Sequence, residues 1–345
     1  MQHERDNGPA TAVDRGAYQD AVTPWDRPKW RAAALAWIAR ELAAHGLRES
    51  GPRTVRLRPW SVLVRTHATG LGTVWFKANP PASAFEAPLT EALARWTPEH
   101  VLRPIAVDAD RGWSLLPDGG TLFKTALGGG PVDPRAWEEP LRQYAHMQRA
   151  LTPYADEIER LGVPGARTRE LPDVVDRLVT DSTALAADDR RRLRALRPRL
   201  VEWSAELAAV GIEDTLDHAD LHEGQLFHPE PGRYTFFDWG DATVSHPFCS
   251  FRVPARRVLA EDRGGTGRAA LLRLRDAYLE PWTGDGASSA ELRRAMSLSW
   301  RLGAVGRAAS WGRLFPGASR ASDVVCAAQS AASLLELFDA PPALD

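Results

Sequence analysis

The chain has 345 residues, of which 44% are hydrophobic and 26% charged, the composition of an ordinary globular protein and not of a fibrous repeat or a disordered chain. Its 43 Lys and Arg nearly cancel 45 Asp and Glu, so there is no excess positive field to hold a nucleic-acid backbone or an anionic membrane, and neither partner is expected. Two separated cysteines, Cys249 and Cys326, give no disulfide framework or zinc knuckle. The polar stretch Met1 to Asp20 lacks the apolar core of a signal peptide, and no later stretch reaches the roughly 18 apolar residues of a membrane span, so a cytoplasmic location is expected.

In chain order, Asp26 is placed to cap a leading helix that admits Pro28 in its first turn and runs from Trp30 to Ala44 before Gly46. Thr54 to Leu57, Ser61 to Thr69 and Thr73 to Ala78 are rich in β-branched and aromatic residues and read as three strands, separated by Arg58-Pro59 and by the plain hairpin turn Gly70-Leu71-Gly72. An amphipathic helix follows, ending near Trp96. Ser83 to Glu86 reads as its capping box, and Pro88 fits only near its start. Two short strands are expected around Leu102 to Val107 and Trp113 to Leu116, before Asp118-Gly119-Gly120 breaks the pattern.

Beyond Gly120 the chain turns to Ala-, Leu- and Arg-rich helical stretches, among them Pro140 to Leu151, Asp188 to Leu196, Arg199 to Val210 and Glu291 to Trp311. One hairpin interrupts them, Gln225 to Phe227 with Tyr234 to Phe237 around Pro229-Glu230-Pro231-Gly232. The expected organisation is a polar extension over 1–24, a small β-rich lobe over 25–118 and a larger helical lobe over 119–345, an α+β arrangement. The abundant Trp residues are read as core packing.

The hairpin lies in the most polar cluster of the chain, Asp217-His218-Ala219-Asp220-Leu221-His222-Glu223-Gly224-Gln225 before it and Asp238-Trp239-Gly240-Asp241 after it. Phosphoryl transfer needs a carboxylate near the acceptor hydroxyl and oxygen ligands that hold Mg²⁺ against the phosphates, because its catalysis is mostly positioning and charge neutralisation. Asp220 precedes Gln225 by five positions, the Asp-to-Asn interval of a kinase catalytic loop, and Asp238 opens an Asp-Trp-Gly where kinases carry Asp-Phe-Gly.

In these residues the sequence resembles the aminoglycoside phosphotransferase family, whose catalytic loop reads His-x-Asp-x-x-x-x-Asn and whose metal-binding Asp follows one hairpin later. The resemblance covers about residues 53 to 250. It implies a two-lobed protein-kinase-like fold, ATP and Mg²⁺ as cofactors, and a small-molecule hydroxyl as acceptor. Residues 25–118 would be the nucleotide-binding lobe and 119–345 the catalytic and acceptor-binding lobe. The acceptor would be an aminoglycoside or other antibiotic, which would make this a resistance enzyme, or a sugar, amino sugar or amino alcohol. Asp220 would be the catalytic carboxylate and Asp238 the main Mg²⁺ ligand. Gln225 would be a further ligand where the family has Asn, His218 would shape the loop, and Asp241 would brace the backbone after Asp238.

Lys77 fits the strand Lys that contacts ATP phosphates in the family. Its helix partner would be Glu86 or Glu91, with Glu86 preferred because it sits near the helix start. No Gly-rich phosphate loop stands at the first turn, where Ser61 would offer a hydroxyl and an amide instead. Two other readings stay open. His218, Asp220 and His222 alternate as the donors of a metal-dependent hydrolase would. Gln225 and the missing Gly-rich loop would also suit a nucleotide-binding pseudo-kinase without turnover.

Overall fold

The computed structural model describes residues 11–128, 133–261, 267–284 and 286–344. The first ten residues of the expected polar extension lie outside them. The chain forms two compact units: one comprises residues to Glu91, Leu102–Asp118 and Arg313–Ser322, the other Ala92–Val101, Gly119–Gly312 and Asp323–Asp345.

The first unit is built on a six-stranded sheet. Strand β1 (Thr11–Asp14) is followed by helix α1 (Pro28–Ala44), strands β2 (Glu49–Arg58), β3 (Ser61–Ala68) and β4 (Gly72–Ala78), the start of helix α2 (Glu86–Trp96), and strands β5 (Ala106–Asp108) and β6 (Trp113–Pro117). The order across the sheet is β1-β2-β3-β4-β6-β5, antiparallel except that β1 runs parallel to β2. Alternation sets the faces. Val74, Phe76 and Ala78 of β4 are buried in a core with Trp37, Ile38 and Leu42 of α1, so the residues between them, Trp75 and Lys77, emerge on the opposite face. Phe76 and Trp113 meet edge to face at 5.5 Å, with Trp37 at 5.7 Å from Phe76. A side chain as buried as Phe76 contributes about 1.5–3 kcal/mol through the water-exposed area it removes.

Three expectations need correction in this unit. Asp26 does not cap α1. It belongs to a 3₁₀ turn, where its carboxylate accepts the Thr23 amide at 2.8 Å and pairs with Arg15, and α1 begins at Pro28, whose missing N–H needs no cap. Nor does Glu86 close a capping box on Ser83, because α2 starts at Glu86 itself and both its carboxylate oxygens take side-chain partners. The strand expected from Leu102 shrinks to Ala106–Asp108, since Pro104 cannot donate to a ladder. Strand β1, absent from the sequence reading, pairs along its length with β2, and Asp14 at its end is 2.9 Å from Arg58.

The second unit carries α3 (Phe123–Ala126), α4 (Glu138–Leu151), α5 (Ala155–Arg160), α6 (Leu171–Asp181), α7 (Ala187–Ala195), α8 (Arg197–Ala209), β7 (Thr215–Asp217), β8 (Leu226–Glu230), β9 (Arg233–Phe236), β10 (Thr243–Ser245), α9 (Arg252–Glu261), α10 (Gly267–Leu279), α11 (Ser289–Ser310) and α12 (Arg320–Leu335), the last beginning in the first unit. The expected hairpin is β8–β9, turning at Pro231-Gly232 with Gly232 at φ +78°. It is not the sole β pairing among the helices, because β7 and β10 also pair, Asp217 opposite Thr243. These short strands stand on α4, whose buried Gln148 donates to the Leu216 carbonyl at 2.8 Å and accepts the Tyr278 hydroxyl. No described helix is long and apolar enough to cross a membrane.

Candidate active site

Strand β7 delivers the polar loop. Its last residue, Asp217, is buried and accepts hydrogen bonds from the Ala219 amide at 2.9 Å and the Ser250 hydroxyl at 2.6 Å. Burial pushes the Asp217 carboxyl above its ordinary pKa. The tight turn puts Ala219 at φ +59°, a left-handed conformation in which a Cβ crowds the following carbonyl. His218 helps to hold it there. Its amide lies within reach of the Tyr144 hydroxyl at 3.1 Å, and its ring Nε2 meets the Phe237 carbonyl at 3.0 Å, an acceptor that requires the proton on Nε2. With its ring 4.8 Å from that of Trp239, fully buried His218 ties the loop to the residues around Asp238.

On the other side of the hairpin, Asp238 is the only other described non-glycine residue with positive φ, at +68°. The Phe237 amide donates to the Gln225 carbonyl at 3.1 Å, and the Gln225 amide to the His222 carbonyl at 2.8 Å. Two left-handed residues and one hairpin thus bring Asp220, Gln225 and Asp238 into one neighbourhood. Asp220 is pushed up to about 6, first by burial and then by the carboxylates of Asp241 and Asp238, against the pull of Arg307. His222 accepts the Gly224 amide on Nδ1 at 3.0 Å, leaving Nε2 3.7 Å from Asp220 Oδ2, and burial lowers its pKa.

Arg307 was not singled out by the sequence. It lies on α11, 87 positions after Asp220, and its Nη1 is 3.2 Å from Asp220 Oδ1 and 3.3 Å from Asp241 Oδ2. Asp241, expected to brace the backbone after Asp238, turns its carboxylate to Arg307 instead. No local signal distinguishes this arginine from the others in the chain.

In the sheet unit, Lys77 Nζ is 2.7 Å from Glu86 Oε1, and Asn79 Nδ2 donates to Glu86 Oε2 at 2.6 Å. The Lys77 and Glu86 side chains are only 12% and 7% exposed. Glu91 is exposed, five residues on and off that face of the helix. Asn79 was also missed, although its position two after Lys77, just past the end of β4, continues that strand's alternation and was a usable signal. Ser61 is buried at the start of β3 opposite Arg58, beyond the turn Pro59-Trp60, where the Pro59 carbonyl accepts the Phe315 amide at 2.8 Å. Asp118 accepts the Trp75 indole N–H at 3.0 Å. In the helical unit, Gly119 admits the Phe227 ring to within 2.2 Å of where its Cβ would stand.

The donors suit a hard cation. A carboxylate at Asp238 and an amide oxygen at Gln225 are the oxygen ligands Mg²⁺ takes, and the two neighbouring carboxylates that raise Asp220 mark an excess of negative charge that a divalent ion would offset. Among the described residues no group of three or more His, Cys, Asp or Glu is arranged to hold a metal, so His218, Asp220 and His222 form no such set, His218 Nε2 being engaged by the Phe237 carbonyl, and a cation here would rest on fewer carboxylates together with the Gln225 amide.

No protein-family model and no curated protein matches the chain. Solved structures do. A macrolide 2'-phosphotransferase type I aligns over 90% of this chain and 98% of its own at TM-score 0.53 and 17% identity. An ethanolamine kinase of Plasmodium vivax aligns over 90% and 88% at TM-score 0.55 and 11% identity. A GDP complex of a variant aminoglycoside 2'-phosphotransferase-IIIa aligns over 88% and 96% at TM-score 0.52 and 14% identity. The chain therefore has the α+β, two-lobed, protein-kinase-like fold that these small-molecule phosphotransferases share.

Proposed function

We propose that the protein is an ATP-dependent phosphotransferase that phosphorylates a hydroxyl of a small molecule. One observation carries the reading: Ala219 and Asp238, in left-handed conformations on either side of one hairpin, bring Asp220 and Asp238 within electrostatic reach of each other in a half-buried acidic neighbourhood. Strain of this kind costs about 1–3 kcal/mol per residue and persists where the surroundings over-determine it, as at active sites. In this reading Asp220 takes the proton of the acceptor hydroxyl as its oxygen bonds to the γ-phosphorus and the bond to ADP breaks. Asp238 and Gln225 hold Mg²⁺, which supplies charge neutralisation at the phosphates. Lys77, oriented by Glu86, contacts the phosphates, and Ser61 lies at the turn that would approach them. Residues 25–118 would form the nucleotide-binding lobe and 119–345 the catalytic and acceptor-binding lobe.

The similar structures act on a macrolide, on ethanolamine and on an aminoglycoside according to their names, so the acceptor is left as a class: an antibiotic, a sugar or amino sugar, or an amino alcohol. ATP consumption against a panel of these compounds tests the proposal. Acceptor-dependent release of ADP is expected. Tight Mg-ATP binding without turnover on any acceptor would support the pseudo-kinase reading, and hydrolysis of a panel member without ATP would support the hydrolase.

A further inference from the structure

The carboxylate assigned to the acceptor proton is not held by its own loop alone. Helix α11 starts on a capping box, Ser288 with Glu291, and presents Gly303 and Gly306 one turn apart on one face. A Cβ at Gly303 would stand 3.3 Å from the Cys249 Cα, and one at Gly306 would stand 3.4 Å from both Asp217 Oδ2 and the Thr243 hydroxyl. The two glycines let the helix lie directly against the base of the polar loop. Arg307 follows at once, its guanidinium 4.5 Å from the Trp311 ring and its side chain 23% exposed.

We infer that Arg307 is a positioning residue for Asp220, its Nη1 joining the Asp220 and Asp241 carboxylates so that Asp220 Oδ1 is fixed and Oδ2, on the His222 side, faces the acceptor hydroxyl. The inference rests on the phosphotransferase reading. The geometry fits such a task. A single nitrogen lies 3.2 Å from one carboxylate and 3.3 Å from the other, while Oδ2 of Asp220 is 3.7 Å from His222 Nε2. Stacking on Trp311 limits where the guanidinium can swing. Without that cation, Asp220, Asp238 and Asp241 would repel one another, and the Asp220 side chain would lose the contact that selects its rotamer.

A role in positioning separates from a role in nucleotide binding by its kinetics. The probe is steady-state turnover of Mg-ATP by the full chain, with the panel acceptor that supports the fastest rate or with water as acceptor. Arg307→Gln keeps a stem against Trp311 but removes the charge; it is expected to lower kcat at least tenfold while KM for Mg-ATP stays within twofold. Arg307→Lys restores the charge and is expected to recover at least half of that loss on a logarithmic scale; it also carries the test if the Gln variant fails to fold. A Gln variant within twofold of the parent in kcat, a loss confined to KM, or a Lys variant no better than Gln would overturn the inference and leave the phosphotransferase reading standing. A parent chain that turns over no nucleotide with any acceptor would instead overturn the phosphotransferase reading, and this inference with it.

Discussion

Lys77 Nζ sits 2.7 Å from one oxygen of the Glu86 carboxylate while Asn79 Nδ2 donates to the other at 2.6 Å, so both oxygens of a buried anion are engaged by neighbouring side chains. Removing Lys77 alone takes a countercharge from that carboxylate. Lys77→Met is therefore predicted to cost about 3 kcal/mol of folding stability, the lower end for breaking a buried pair, and to weaken Mg-ATP binding at least tenfold. The double change Lys77→Met with Glu86→Gln removes both charges of the pair. It should recover most of the stability in a denaturant titration and none of the ATP affinity in calorimetry. Recovery of both would take Lys77 out of nucleotide binding.

The titration of Asp220 gives a second prediction. In the protein without nucleotide or metal, burial and the carboxylates of Asp241 and Asp238 raise this group to about 6, and Arg307 opposes them. Its carboxyl carbon, followed by NMR, should titrate with a midpoint of about 6. Asp241→Asn removes a push and should lower the midpoint, and Arg307→Gln removes a pull and should raise it. The sign for activity follows. A raised carboxyl is neutral below its pKa and cannot accept a proton, so the rate should fall at acid pH, kcat/KM for Mg-ATP following the midpoint of the free protein and kcat a lower one, because Mg²⁺ would offset the push of Asp238. An Asp220 that titrates near 3.8, the ordinary value, would remove the basis for this limb.

Gln225 is fixed through its backbone to His222 and Phe237, which leaves its side-chain amide as the part available to a cation. Gln225→Ala is predicted to raise the Mg²⁺ concentration for half-maximal rate several-fold with little loss of stability, because an amide oxygen is one ligand among several and is uncharged. An unchanged Mg²⁺ dependence would make Gln225 a structural residue.

Local pattern explains what the sequence revealed. Alternation in Val74-Trp75-Phe76-Lys77 marks a strand with Lys77 on the face away from Phe76, and the period of Glu291 to Trp311 marks the long helix. The features that escaped are non-local or very short. Strand β1 is four exposed residues whose partners lie about 40 positions on, β7 and β10 have three residues each, and Arg307 reaches Asp220 from 87 positions away. Ion pairs of that range leave no trace in a periodicity, so a cluster such as Asp217 to Gln225 is legible as chemistry while the cation that completes it is not. Asp26 misled because a good capping residue was already committed to Thr23 and Arg15.

The central claim assigns two carboxylates different tasks, Asp220 on the acceptor and Asp238 on the metal, and one measurement separates them. Calorimetric titration of Mg-ATP into Asp220→Asn and Asp238→Asn, read beside their turnover, should show that Asp220→Asn binds Mg-ATP within about twofold of the parent with kcat at least a hundredfold lower, the order of a lost general base. Asp238→Asn should lose Mg-ATP affinity as well as turnover, and its binding should no longer respond to Mg²⁺. If Asp220→Asn loses Mg-ATP binding while Asp238→Asn keeps it, or if both variants remain fully active, the account of this site is contradicted.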